Sequence, residues 1–432
     1  MNPPNRTRRN PPPPRRGPRE TSPVSMAALG PHFRRFWIAS AISNLGDGIR
    51  WTALPLLTAA ITRDPQVVAG THIAIWVPQL LFGLVGGAVV DRVDRRVLVR
   101  NFQYARALVM AALAAVALAD QVTVIMIYAT AFLIGTGEVF VDSAGMTIVR
   151  SLVSDDQLES GYGKLWAADL TANEFIGPPV GGFLFGIARW VPFAADAASY
   201  GLAGAFVHRL PNDALARPER SRSTLRADIA EGLRVMWSNK FLRVFLLSVG
   251  GHNLFQSFPY AIYVLFALQV LDTNALGFGI IMSAGGVGGV LATLVATRVV
   301  NVVGRGGVIW GGSIVTGLAI FLTGFTSNAV VAGGLQFVSL FAISLWNVVG
   351  RALRASIVPD HLLGRVVTSG RVLGWGAIPV GSALGGWIAA TYGLRMPFFI
   401  GGASIALVGV LTIPWMSTER IEAARAAAAN GE

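Results

Sequence analysis

Residues 66–96 read QVVAGTHIAIWVPQLLFGLVGGAVVDRVDRR. Positions 66–90 hold no Asp, Glu, Lys or Arg, and then five of the next six residues are charged. A helix rises about 1.5 Å per residue, so roughly 20 apolar residues cross the ~30 Å hydrocarbon core of a bilayer. The stretch reads as a membrane-spanning helix that ends in a water-facing loop. It lacks the strict polar–apolar alternation of an outer-membrane barrel strand. Twelve runs of this kind lie between residues 36 and 416, so the chain reads as an all-α polytopic membrane protein with twelve transmembrane helices.

Composition agrees. The chain has 432 residues, 53% of them hydrophobic and 13% charged, against about 25% charged in a typical soluble domain. There is no cysteine, which excludes disulfides, thiolate nucleophiles and cysteine metal sites. The five histidines are scattered, without metal-ligand spacing. The net charge of +12 suggests nucleic acid until its distribution is followed. Residues 1–35 form a Pro- and Arg-rich tail with eight Arg and no signal-peptide plan, expected to be disordered and cytoplasmic.

The remaining Lys and Arg fall between apolar runs. With the N-terminus inside, 30 of the 35 lie in cytoplasmic segments; only Arg63, Arg189 and Arg395 lie outside, and Arg50 and Arg106 lie within spans. This bias predicts a bacterial inner-membrane protein with both termini cytoplasmic. The longest interior connection, 209–240, separates six helices (36–208) from six (241–416), leaving 417–432 as a cytoplasmic tail. Within that connection Leu225, Ile229, Leu233 and Met236 recur at helical spacing, which predicts a helix lying on the membrane surface. An echo at an offset of 205 pairs Ser151–Asp155 with Ser356–Asp360, as duplicated halves would.

Two motifs carry a family resemblance. Gly87-Ala-Val-Val-Asp91-Arg92-Val-Asp94-Arg95-Arg96 resembles the loop signature of the major facilitator superfamily, with Asp94 where glycine is commoner. Gly177-Pro178-Pro179-Val180-Gly181-Gly182 is similar to a span-five motif of that superfamily's antiporters. The opening around Asn44–Gly48 and the segment Gly232–Trp237 resemble the branch holding the enterobactin exporter and macrolide-efflux proteins. The resemblance, over about residues 33–416, implies two pseudo-symmetric six-helix bundles that alternate access to a central cavity. It implies a conformational latch at Gly87, Asp91, Arg92, Arg95 and Arg96. The loop after span eight keeps Arg298, Gly304 and Arg305 but no acid, so a second latch is not expected. Physically, the prolines at 178 and 179 kink span five, and Gly177, Gly181 and Gly182 permit close helix contact.

Intramembrane acids are the functional clue, because a charge at mid-bilayer must face a cavity or a counter-charge. Spans one to six hold Asp47, Glu138, Asp142, Asp169, Glu174 and Asp196; spans seven to twelve hold none. Asp47, Glu138, Glu174 and Asp142 are the candidates for proton coupling. The competing reading pairs Asp47 with Arg50, and Glu138 or Asp142 with Arg106 or a loop arginine. Asp196, near the outer end of span six, is expected at the interface. By the resemblance, spans one, four, seven and ten line the cavity, which gives Trp51, His252, Asn253, Gln256, Tyr260, Trp346 and Asn347 as wall residues. Polar groups among aromatic surfaces suit an amphipathic organic molecule, although each of these polar groups also suits a helix–helix hydrogen bond. Gly285-Gly286-Val287-Gly288-Gly289 follows no strand and lacks a Walker lysine, so it reads as helix packing.

The sequence thus predicts no enzyme, no cofactor, no nucleotide and no nucleic-acid partner. It predicts a monomer in membrane lipid that exports small amphipathic compounds at the expense of a proton gradient. An importer or a lipid flippase on the same fold is the alternative.

Overall fold

The computed structural model describes residues 26, 29–90, 92–210, 234, 237–358 and 360–430. Asp91 of the loop signature, the greater part of the N-terminal tail and the amphipathic linker segment lie outside these residues. The described chain is helical throughout, without a strand. Its elements are α1 (Gly30–Ile61), α2 (Pro65–Val90), α3 (Arg95–Leu118), α4 (Val124–Leu152), α5 (Leu158–Asp169), a π-helical turn (Leu170–Ile176), α6 (Gly177–Ile187) and α7 (Val191–His208). The second half continues with α8 (Lys240–Tyr260), α9 (Tyr263–Gln269), α10 (Ala275–Thr323), α11 (Ala329–Ile357), α12 (Asp360–Tyr392), α13 (Met396–Thr412) and α14 (Thr418–Asn430).

Twelve spans follow from this order. α5, the π turn and α6 make one broken span, and α8 with α9 makes another, interrupted at Ala261–Ile262 beyond Pro259. α10 is two spans folded at Gly304, whose φ of 74° is open to glycine. Four helices, α3, α4, α10 and α11, are long and apolar enough to cross a membrane on length and composition alone. Short polar side chains start several of these helices by capping free N–H groups: Asp94 for α3, Thr123 for α4, Asn274 for α10 and Asn328 for α11. The departure from glycine at Asp94 thus has a local cause, since its carboxylate accepts from Val97 N at 3.1 Å.

Packing repeats between the halves. α1 lies on α6 and α7, α2 on α4, and α3 on α7; correspondingly α8 lies on α12 and α13, and α10 on α11 and α13. The halves meet through α2 against α12 and through the π turn and α6 against α10, two contacts that the same pseudo-twofold exchanges.

Among the described residues, the buried apolar closure between the halves is one-sided. One apolar cluster joins Leu56, Val68 and Ala69 of the first half to Ile262, Phe266, Phe278 and Ala389 of the second. It sits where α1 ends and α2 begins. At the opposite end, where α1 starts, the buried clusters each stay within one half: one around Phe33 and Ile148, others around Trp346 and around Leu246. Among the described residues, no buried apolar cluster joins the halves at the end that carries the N-terminus.

The segment after residue 416, read as a tail, folds instead into α14 and docks at that end of the second half. Met416 and Ile421 are fully buried beneath α10 and α11. Thr418 packs on Gly304, and its hydroxyl accepts from Gly306 N at 3.2 Å. Arg305 pairs with Glu422, so the acid missing from the second loop is supplied by the C-terminal helix. Magnitudes rank these contacts. A half-exposed ion pair contributes at most about 1 kcal/mol, whereas truncating a buried Ile costs about 2–5 kcal/mol. Ile421→Ala is expected to lower the thermal midpoint of the purified protein in detergent clearly, and Glu422→Gln only slightly; a larger loss from Glu422→Gln would reverse that ranking.

Candidate functional site

Span one supplies the core of the site. Asp47 and Arg50 are three residues apart on α1, hence neighbours on one helical face. Both are buried, Arg50 completely. Arg50 Nη2 donates to Asp47 Oδ1 at 2.9 Å and to Glu138 Oε2 of α4 at 3.3 Å. From α3, Arg106 Nη2 donates to the same Asp47 oxygen at 2.7 Å and to the Tyr200 hydroxyl of α7 at 2.7 Å. Tyr200 in turn donates to Asp47 Oδ1 at 2.5 Å, and its ring lies 4.0 Å from the Arg106 guanidinium. Asp47 is thus held by three donors from three helices, while Glu138 is held by one and its side chain is 23% exposed. Of the pairings offered from the sequence, Asp47 with Arg50 occurs, whereas Arg106 meets Asp47 rather than Glu138 or Asp142, and Glu138 meets Arg50.

Asp196 corrects the expectation of an interfacial residue. Its side chain is fully buried, with Oδ2 3.9 Å from Arg50 Nε. Gly46 makes room for it, since a Cβ there would come within 2.3 Å of Asp196 Oδ1. Tyr200, Asp196, Arg106 and Arg50 carry the cluster as much as the candidate acids do. The available signals were the lone charges within spans one and three, and the i, i+4 spacing of Asp196 and Tyr200, which puts both on one face of α7.

Asp142 and Glu174 are exposed and Asp169 is half-buried. Asp142 stands one turn from Glu138 on α4, within electrostatic reach of the cluster but without a hydrogen bond to it among the described residues. Glu174 lies in the π turn and acts electrostatically on Asp169 and on the Tyr260 hydroxyl of α8. The geometry of this turn follows from Pro178 and Pro179. Neither has an N–H, so carbonyls one turn earlier lose their donors. Phe175 O accepts instead from Ser283 Oγ of α10 at 2.7 Å. Glu174 O lies against Gly286 of α10, where a Cβ would come within 2.2 Å of it. Gly177 and Gly181 close on Gly48 and Ile49 of α1, and Gly182 on Ala275 of α10. The kink motif thus fastens span five to its own half on one side and to the other half on the other. Gly288 lies on Phe337 O of α11, completing the glycine cluster's role in packing.

Trp51 stands beside the cluster, its ring 5.6 Å from the Arg50 guanidinium. It contacts His72 (6.5 Å) and Trp76 (6.1 Å) of α2, and Trp76 meets Trp375 of α12 at 5.9 Å. His72 Nδ1 lies 2.7 Å from Ser382 Oγ across the halves. The serine proton is directed to Ile378 O at 2.8 Å, so His72 is the donor. In the second half, Asn253 donates to Gly374 O at 2.9 Å and Gln336 donates to the Tyr260 hydroxyl at 2.6 Å. Gln256 is half-buried and Asn347 exposed. His252 and Trp346 are buried within the second half, 3% and 4% exposed, and stack on one another. Of the latch residues, Arg92 is exposed, Arg95 is buried and Arg96 donates to His208 O at the end of α7. That contact lies within the first half.

Two pseudo-symmetric six-helix halves, one of them carrying the buried charges, define a multi-pass membrane transporter of the major facilitator fold. A family model described as transmembrane secretion effector matches residues 22–430, and the chain belongs to this family. It is 28% identical over 401 residues to the multidrug efflux pump Tap of Mycolicibacterium fortuitum, covering 87% of this chain and 93% of that protein. It is 25% identical to Tap of Mycobacterium bovis, over 87% and 91% of the two chains. Among solved structures, the nucleoside transporter NupG aligns with a TM-score of 0.72 at 13% identity over 89% of this chain and 99% of that one. A bacterial homologue of the iron transporter ferroportin, in an inward-facing state, aligns with a TM-score of 0.73 at 15% identity over 91% and 100%. These two likenesses establish the fold alone. As a transporter of this family, the chain carries a small-molecule substrate and is not an enzyme.

A buried pair is costly to break one-sidedly, about 3–5 kcal/mol, because the remaining charge is left without a counter-ion. Arg106→Gln is therefore expected to destabilise the purified protein strongly. Asp47→Asn on top of it is expected to recover part of the loss, giving a coupling above about 1 kcal/mol in a thermal double-mutant cycle. Additive losses would show that the two residues act independently.

Proposed function

We propose that the protein is a proton-driven exporter of small amphipathic organic compounds, working by alternating access in the bacterial cytoplasmic membrane with both termini inside. The observation that carries this reading is the charge balance of the buried cluster. Asp47, Glu138 and Asp196 place three carboxyl groups around the two guanidiniums of Arg50 and Arg106. An uncompensated buried charge is expensive, so the cluster has a natural place for one proton. Glu138 is its member nearest the open space, and Asp142 and Glu174 extend acidic character beyond it. Asp47, tied by three donors, serves as the anchor.

The direction of transport rests on the relatives named as multidrug efflux pumps and on the Gly-Pro-Pro-Val-Gly-Gly segment. The substrate class rests on the aromatic group Trp51, Trp76 and Trp375 beside polar Asn253, Gln256, Tyr260 and Asn347, which together offer flat apolar surfaces and hydrogen bonds. In this reading the state described is open to the cytoplasm, and the bundles of residues 36–208 and 241–416 rock about the α2–α12 and α6–α10 contacts. Gly87, Asp91, Arg92, Arg95 and Arg96 engage in the opposite state. The protein works as a monomer in lipid, without nucleotide or nucleic acid.

The test is cellular accumulation of ethidium and a panel of antibiotics in an efflux-deficient host. Expression is expected to lower accumulation of at least one compound, an uncoupler to restore it, and Glu138→Gln at normal expression to abolish the difference. Raised accumulation would mean import. Movement of labelled phospholipid, with no effect on any soluble compound, would mean a flippase.

A further inference from the structure

Asp196 has no part in the sequence-based account of proton coupling, yet its surroundings are the most specific in the cluster. Its Oδ2 is buried without a hydrogen-bond partner among the described residues, and so are Nε and Nη1 of Arg50. The two orphans Oδ2 and Nε face each other at 3.9 Å, about 1 Å beyond hydrogen-bond distance. An ionised carboxylate would be expected to close that gap, since leaving a charged oxygen bare in a dry site costs more than leaving a neutral one.

Ser199 explains why the gap stays open. Its hydroxyl oxygen lies 2.8 Å from the Asp196 carbonyl oxygen and 3.2 Å from Asp196 Oδ1. A serine has one proton to give. Directed to the nearer carbonyl, it leaves a lone pair on Oγ that accepts from a proton on Oδ1. Gly46 presses on both groups, since a Cβ at that position would come within 2.0 Å of Ser199 Oγ and 2.3 Å of Asp196 Oδ1. The pocket thus holds the carboxyl group of Asp196 against the serine oxygen, with Oδ1 placed to donate to it when protonated.

We propose that Asp196 carries the cluster's proton in the state described here, and that Arg50 exchanges between Glu138 and Asp196 when the proton moves. This rests on the exporter reading above and assigns its proton site. The charged and titratable groups facing Asp196 are Asp47 and Arg50 from α1 and Arg106 from α3, with Glu138 of α4 reached through Arg50 and Tyr200 on its own helix. The step balances. The Oδ1–H bond of Asp196 breaks, an O–H bond forms on Glu138, and Arg50 leaves its 3.3 Å contact with Glu138 to close on the Asp196 carboxylate. Total charge in the cluster is unchanged until Glu138 passes the proton to water in the open space.

The experiment is infrared difference spectroscopy of the purified full-length protein, titrated in proton and deuteron media without any substrate. A protonated-carboxyl stretch is expected in the wild-type protein near neutral pH. Asp196→Asn is expected to remove it, and Ser199→Ala to keep it while shifting it to higher frequency, as loss of a hydrogen-bond acceptor requires. If Asp196→Asn does not fold, the Ser199→Ala shift alone decides. A band that persists in Asp196→Asn, or does not move in Ser199→Ala, would overturn the assignment. Because no substrate is used, the band is independent of direction and cargo: import in the accumulation assay with the band intact would sink the exporter reading and leave the proton site standing.

Discussion

A guanidinium with no exposed surface must have its charge met inside the protein, and the first half of this molecule is organised around meeting that of Arg50. Ion pairs repay the cost of leaving water only when geometry is good and the remaining donors are satisfied. That requirement brings α1, α3, α4 and α7 to one point, through Asp47, Arg106, Glu138 and Asp196 with Tyr200. It also sets where small residues stand: Gly46 admits Asp196 and Ser199, and Gly48 admits the backbone of the π turn. The second half has no such centre. Its described interior is held by neutral contacts, Asn253 on Gly374 O and Gln336 on Tyr260, and by the stacked Phe245, Trp346 and His252. Two halves of one architecture therefore differ in kind, with the buried carboxyl groups among the described residues confined to the first.

How far the sequence reveals this depends on whether the determining pattern is local. The spans, the kinked fifth helix and the acid asymmetry between halves are written in contiguous runs and single-residue counts, and all are legible in the sequence. The partner of each buried acid is not, because pairing across α1, α3, α4 and α7 joins residues up to 153 positions apart. Depth along a span misplaced Asp196, since distance from a helix end says nothing about which side faces the neighbour. His252 and Trp346 show the converse: a polar or aromatic residue on a cavity helix turns inward when its stacking surface lies within its own half. The acid missing from the second loop was sought near that loop, whereas Glu422 reaches Arg305 from the far end of the chain.

The seal between the halves and the charge cluster are physically continuous. Arg50 lies against Trp51, Trp51 against His72 and Trp76, and Trp76 against Trp375 of the opposite half, with His72 bonded to Ser382 beside them. Close-packed rings do not deform gradually, so a change in the position of Arg50 is transmitted as a choice between discrete packings. The rest of the inter-half contact is suited to such a choice. It is mostly apolar side chains and glycine against backbone, with Ser283 on Phe175 O as a further polar tie. Separating surfaces of that kind strands few buried polar groups, and those it does strand, His72, Ser382, Ser283 and the Phe175 carbonyl, become accessible to water as the halves part. In the proposed cycle, the apolar seal sets the energetic barrier to rocking, and the carboxyl group that Arg50 holds sets the bias between the closed and open forms.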